Sequence, residues 1–204
     1  MILATKDIEQ LEQRYRTTFI NSLAGFRQAV LVGTKSTQGI SNLAIFNSLI
    51  HLGANPALFG LICRPAPEGV QRHTLQNILD TGAFTINYVQ AAHHKQAHQT
   101  SARYGSDTSE FEKVGFHESY IPNFSAPLVQ EAVVSIAMQF LDIIPIPQNG
   151  TSLIIGSIEQ VLLQQAMLEP DGFVNLSAAD VLISQGLDAY FVANSIGRLT
   201  YAKP

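Results

Sequence analysis

Arg64, Arg72, His73 and Thr74 are the residues of this chain whose types and spacing best suit holding an anion. Arg64 ends an apolar run, and Pro65 stops that run from continuing as a simple strand. Arg72, His73 and Thr74 lead into a short amphipathic helix, with Thr74 the expected N-cap of residues 75–80 and Gly82 the expected stop. A helix N-terminus offers unpaired N–H groups and the positive end of a dipole, which suits phosphate. Arginine adds a planar fork for phosphate oxygens, and a threonine hydroxyl adds one more hydrogen bond. Spacing alone equally allows a plain cap flanked by solvated arginines, and both readings stand at this point.

Three further groups could do chemistry. Ser41-Asn42-Leu43-Ala44 sits at a strand entrance, where small and polar side chains let backbone groups approach a ligand edge or simply form a hairpin shoulder. Cys63 lies in an apolar run beside Arg64; no base stands in a fixed relation to it, so it reads as a small core residue. His94 and His98 are four apart and can share a helix face, but a metal pair of this spacing needs a third ligand that the sequence does not place. With His93, Thr100, Ser101 and Arg103 they border a ligand pocket or form a solvated helix. The chain has no G-x-S-x-G elbow, no G-x-G-x-x-G and no G-x-x-x-x-G-K-[ST], which argues against an α/β-hydrolase nucleophile, a Rossmann site and a P-loop.

These residues need a scaffold, and the pattern is mainly β. Residues 28–33 (QAVLVG) read as a buried strand and Thr37-Gln38-Gly39 as a hairpin turn. Residues 42–52 and 57–63 read as a second hairpin across Gly53-Ala54-Asn55-Pro56, and residues 83–89 as another strand. Residues 133–141 alternate apolar and polar, as a half-buried antiparallel strand does. Residues 152–163 read as a long strand bent at Gly156, and 189–192 and 198–202 as closing strands. Residues 7–19 have the spacing of an amphipathic helix, and 91–113 are partly helical. Regular strand–helix alternation is missing, so the expected fold is a Greek-key antiparallel β-barrel with added helices, one domain over residues 1–204 with 1–24 as an N-terminal helical extension.

Composition narrows the function class. Of the 204 residues 46% are hydrophobic and only 14% charged, well below the usual ~25%. So little charge implies that part of the surface is covered by another subunit. A net charge of −4 argues against nucleic acid. One cysteine fits a reducing cytoplasm, residues 1–20 do not read as a signal peptide, and no apolar stretch reaches the ~18 residues of a membrane span.

The order of segments resembles the flavin reductase-like, FMN-binding split-barrel family. The matching pieces are GISNLAIFNS from Gly39 to Ser48, Asn55-Pro56 with the run ending Cys63-Arg64-Pro65, and Arg72-His73-Thr74-Leu75-Gln76-Asn77-Ile78. Thr81-Gly82-Ala83-Phe84-Thr85-Ile86-Asn87, Ser109-Glu110-Phe111-Glu112, Ala126-Pro127-Leu128-Val129-Gln130-Glu131-Ala132, Asp171-Gly172-Phe173-Val174 and Tyr201-Ala202-Lys203-Pro204 follow in the same order. The resemblance implies a split β-barrel homodimer with FMN near the subunit interface. It implies that Asn42, Leu43 and Ala44 line the isoalloxazine edge, partly through backbone groups, with Ser48 and Cys63 near the ring or ribityl chain. Arg64, Arg72, His73 and Thr74 would hold the phosphate, and His98, Thr100 and Arg103 would complete the pocket. The implied activity is an FMN oxidoreductase that takes hydride from NAD(P)H and passes electrons on; the alternative is a non-enzymatic FMN electron carrier or redox sensor.

Overall fold

A computed structural model describes residues 1–67 and 71–203. Residues 68–70 of the polar loop after Arg64, and Pro204 of the terminal motif, lie outside the described residues.

The strand run expected over 28–33 breaks at Ala29. Its first part belongs to β1 (Phe26–Gln28) and its second to β2 (Val30–Lys35). Strand β2 is buried on both faces, which is why it reads as an unbroken apolar run. Val30 and Val32 enter one core with Phe84, Ile86, Ile136 and Met138. Leu31 enters a second core with Phe111, Phe116, Val129 and Leu182. A turn ending at Gly39, whose φ of +87° favours glycine, returns the chain as β3 (Ser41–Phe46), antiparallel to β2.

The expected strand over 42–52 is in fact two strands on opposite edges of the sheet. β3 ends at Phe46, and β4 (Leu49–Ala54) pairs with β5 (Ala57–Cys63) across Asn55-Pro56. The break is made by polar side chains that bond elsewhere. Asn47 Nδ2 donates to the Gly186 carbonyl at 2.7 Å, and Ser48 Oγ donates to the Ile62 carbonyl at 3.0 Å. Helix α3 (His73–Thr81) then carries the chain back across to β6 (Ala83–Tyr88), which pairs with β2.

Two long strands, β9 (Val134–Ile146) and β10 (Thr151–Leu163), complete a seven-stranded antiparallel sheet in the order β3-β2-β6-β9-β10-β5-β4. The start of β9 is buried on both faces rather than half-buried, because Ser135 packs under Asn87. β10 shifts register at Gly156, where an added Cβ would lie 2.8 Å from the Phe84 ring and 3.0 Å from the Gln139 carbonyl. A three-stranded sheet of β1, β11 (Leu182–Gln185) and β12 (Ala189–Val192) stands beside the main one, and β7 (Glu118–Ser119) and β8 (Leu128–Val129) form a short pair. The mainly β expectation holds. Residues 198–202 are not a strand: Arg198 is drawn to Glu169 and Asp171 at 2.7 and 2.6 Å and lies over the Phe173 ring.

Helices cover the sheet. The N-terminal helix is two, α1 (Thr5–Gln10) and α2 (Gln13–Leu23), neither with a buried residue. Between 91 and 114 lie a short 3-10 turn, α4 (His94–Gln99) and α5 (Glu110–Val114), whose Ala97, Phe111 and Val114 fill the second core.

Asn87 ties the sheet to its neighbours. Its Nδ2 donates to the Leu31 carbonyl and Thr85 Oγ1, and its Oδ1 accepts from Val129 N–H and Ser135 Oγ, all within 3.1 Å. The side chain is fully buried. Asn87→Ala strands several buried polar groups, each costing ~1–3 kcal/mol, so urea unfolding should show a loss of about 3 kcal/mol. A loss below about 1 kcal/mol would mean the network is not holding these elements.

Candidate functional site

A buried polar clasp positions α3. Thr34 Oγ1 on β2 accepts from Asn42 Nδ2 at 3.2 Å and from Asn77 Nδ2 at 3.1 Å. Asn42 Nδ2 also donates to Thr74 Oγ1 at 3.1 Å. All four residues are buried. The clasp sets the first turn of α3 beside β3, and the helix start opens on a cleft of about 980 Å³.

The helix begins two residues earlier than expected. Arg72 is the N-cap and Thr74 the second helical residue, so Thr74 is not the cap; Arg72 makes no side-chain capping bond. The N–H groups of the first turn therefore lack a capping side chain, and His73, Thr74 and Leu75 line the cleft. Glycine does end the helix, with Gly82 at φ +71°.

The structure brings all of the sequence-predicted site residues except Leu43 to this one cleft. Asn42 and Ala44 share a face of β3. Leu43 points the opposite way, as strand alternation requires, and is fully buried in the second core. Ser48 and Cys63 line the cleft from the turn before β4 and from β5, Arg64 and Arg72 from the segment leading into α3, and His98, Thr100 and Arg103 from α4 and the residues after it. Arg64 Nη2 donates to Asn21 Oδ1 of α2 at 2.8 Å, and Arg72 Nη2 to the Pro65 carbonyl at 3.2 Å. Among the described residues the ion pairs involve only His117 and Arg198. Arg27, Arg64, Arg72 and Arg103 thus line the cleft without a carboxylate partner.

The histidines do not converge. His93 Nδ1 bonds Gln96 Oε1, His94 Nδ1 bonds the Ala91 carbonyl, and His98 Nδ1 bonds Tyr190 Oη at 2.8 Å. Among the described residues no three His, Cys, Asp or Glu side chains form a metal-sized group.

Several cleft residues were not marked as functional by sequence reasoning. Arg27, Asn47, Ser184, Asp188 and Tyr190 line it. Glu110 also does, although it is almost wholly buried. Its Oε2 accepts the Leu43 N–H at 3.0 Å. Burial raises the Glu110 pKa, while that N–H, its own backbone N–H and the nearby His73 pull it back down. Glu110 stands in a motif that carries the family resemblance, which was the one available signal. Ser184 and Tyr190 carry none, because only the fold brings the last hairpin to β1.

This is a split-barrel architecture with a cleft at a helix N-terminus that lacks a side-chain cap. The chain belongs to the flavin reductase-like family: the flavin reductase like domain matches residues 24–177. A candidate flavin reductase with split barrel domain from Shewanella frigidimarina NCIMB 400 is 44% identical, covering 99% of this chain and 100% of its own, with a TM-score of 0.94. Nitrilotriacetate monooxygenase component B from Bacillus cereus shares the fold at 17% identity, covering 98% of each chain, with a TM-score of 0.86. So does 2-nitrobenzoate 2-nitroreductase from Pseudomonas fluorescens, at 20% identity over 99% of this chain and 96% of its own, with a TM-score of 0.82.

Cys63 is not activated by its arginine neighbours. Burial pushes its thiol up to about 11, outweighing the opposing pull of Arg72. A rise from 9.0 to about 11 leaves ~100-fold less thiolate at neutral pH, and the thiolate is the nucleophile. Iodoacetamide at pH 8 should therefore label the native protein at least ~100-fold more slowly than the urea-unfolded chain. Equal rates would show that the thiol is accessible and ionised.

Proposed function

We propose that the protein is an FMN-dependent oxidoreductase of flavin reductase type, with NAD(P)H as electron donor. One observation carries this reading: an α3 N-terminus without a side-chain cap, flanked by Arg64, Arg72, His73 and Thr74, opens on a cleft large enough for a flavin and a second ring. The first-turn N–H groups and the two guanidiniums suit a dianionic phosphate. Thr74 Oγ1 accepts from Asn42, so its own proton is left to give to a phosphate oxygen. Asn42 and Ala44 offer a narrow wall on edge strand β3 against which a planar ring can lie.

When bound, the flavin supplies the hydride and electron chemistry, with NAD(P)H as donor and free flavin, oxygen, a metal complex or a protein as acceptor. The protein's residues anchor the phosphate, orient the ring and set the field around it. No side chain has to act as acid or base, in keeping with an inert Cys63 and with His93, His94 and His98 engaged with other groups. The unpaired arginines at the mouth favour anionic ligands, and buried Glu110 holds the β3 backbone in place through Leu43.

We also infer a homodimer. Ile50 and Leu52 on β4, Leu141 and Ile144 on β9, and Ile196 and Leu199 in the terminal segment are exposed apolar side chains that a second copy would cover. A cytoplasmic location fits a chain with a single cysteine. No helix among the described residues is long and apolar enough to cross a membrane.

The deciding experiment is an absorption spectrum of the purified protein with FMN, repeated after anaerobic NADH or NADPH. Flavin bands that bleach promptly support the reductase and name its donor. Bands that persist with both nucleotides favour a non-enzymatic electron carrier or redox sensor, and failure to bind FMN removes the cofactor. Replacing Arg72 with Ala and Thr74 with Val together should weaken FMN binding by about 3 kcal/mol, given ~1.5–3 kcal/mol per hydrogen bond to a charged group. Unchanged affinity in a folded double variant would sink the phosphate assignment.

A further inference from the structure

The cleft has a second polar wall, opposite in character to the arginine mouth. Ser184 on β11 is directly opposite Arg27 on β1 and directly opposite Tyr190 on β12. Residues paired this way across antiparallel strands put their side chains on one face, with Cβ atoms ~4.5–5.5 Å apart. All three line the cleft. Tyr190 Oη extends the row by its 2.8 Å bond to His98 Nδ1, and Asp188 stands at the turn between β11 and β12 on the same cleft.

Ser184 is the informative member. It is 4% exposed, and among the described residues its Oγ has no hydrogen-bond partner. A buried hydroxyl left unpaired costs free energy, and such groups are uncommon in folded proteins. An unpartnered hydroxyl on the wall of a ligand cleft has a simple explanation if its partner is the ligand. The family match ends at residue 177, so Ser184, Asp188 and Tyr190 lie past the matched residues.

We propose that the Arg27–Ser184–Tyr190 row recognises the amide-type edge of a planar ring. The row offers mixed chemistry: a guanidinium that donates, a hydroxyl that both donates and accepts, and a carboxylate at Asp188 that accepts. The opposite charges of Arg27 and Asp188 disfavour a bare anion here and suit a neutral edge carrying adjacent C=O and N–H groups. Two ligands of the proposed function present that edge: the imide side of the flavin ring and the carboxamide of nicotinamide. This inference rests on the flavin reading above and adds the residues that orient the ring end of the ligand, the arginine mouth holding the phosphate end.

The test is Ser184→Ala, which removes one buried hydroxyl and little volume, with Tyr190→Phe as a second variant. Three quantities are measured on purified protein: the melting temperature, the Kd for FMN by quenching of flavin fluorescence, and the Kd of the FMN-loaded protein for NAD+ and NADP+ by calorimetry. Loss of one neutral hydrogen bond weakens binding by ~3–10-fold. A rise of that size in the FMN Kd, with the melting temperature kept or raised, supports the proposal and assigns the row to the flavin imide. An unchanged FMN Kd with a ~3–10-fold weaker dinucleotide supports it and assigns the row to the carboxamide. Wild-type affinities for both ligands in Ser184→Ala, whatever the melting temperature, overturn it. A wild-type protein that binds no FMN overturns the functional reading and this inference with it, whereas wild-type FMN binding that Ser184→Ala leaves intact overturns only the assignment to the flavin imide.

Discussion

The site depends on one buried oxygen. Thr34 Oγ1 accepts from both Asn42 and Asn77, so a single hydroxyl on β2 joins the edge strand β3 to helix α3. Asn42 then passes the link on to Thr74. In a dry interior these bonds are strong, and leaving any partner unpaired is expensive. The clasp therefore fixes the angle and depth of α3 more sharply than the apolar contacts of Leu75 and Ile78 could. Because α3 starts at the clasp, its N-terminus, without a side-chain cap, lies on the cleft beside β3. The open helix end in the cleft follows from how the helix is held.

A second constraint comes from β2 and β3 being packed on both faces. Alternation sends Val30, Val32 and Thr34 toward α3, and Leu31 toward α4 and α5. The same alternation splits Asn42 and Ala44 from Leu43, so one strand serves the cleft with one row and the second core with the other. Glu110 joins the two sides. It sits at the start of α5, against the second core, yet borders the cleft and holds the Leu43 N–H. Burial discourages its charge, and the N–H groups and His73 restore part of it. The cleft thus has cations at its mouth and a weakly held negative charge deeper in.

Much of this could be read from the chain because it is local. The presence of a short helix after Arg72 and its stop at Gly82, the hairpin at Gly39 and the bend at Gly156 each follow from a few adjacent residues. What could not be read is non-local. The sequence from 42 to 52 looks like one strand because nothing nearby shows that Asn47 bonds to Gly186, 139 residues away. Residues 198–202 have strand-like composition, but no free strand edge receives them and Arg198 bonds to Glu169 and Asp171 instead. Thr74 has the chemistry of a cap, yet its hydroxyl is committed to Asn42, which moves the helix start to His73.

The division between shared and individual parts bears on chemistry. The family match covers β1 through the long strands, and with them the clasp, the α3 N-terminus and the arginines at the mouth. Under the proposed function, those parts are the ones that would hold the phosphate. Proteins that share this fold bear names as different as a monooxygenase component and a nitroreductase. In this chain the wall formed by β11 and β12 lies past the matched residues, lines the same cleft, and is hydrogen-bonded to α4 through Tyr190 and His98. A short terminal hairpin can change its side chains without disturbing the clasp, because it shares no hydrogen bond with Thr34, Asn42, Thr74 or Asn77. The clasp and the β11–β12 wall are thereby separate elements of one cleft.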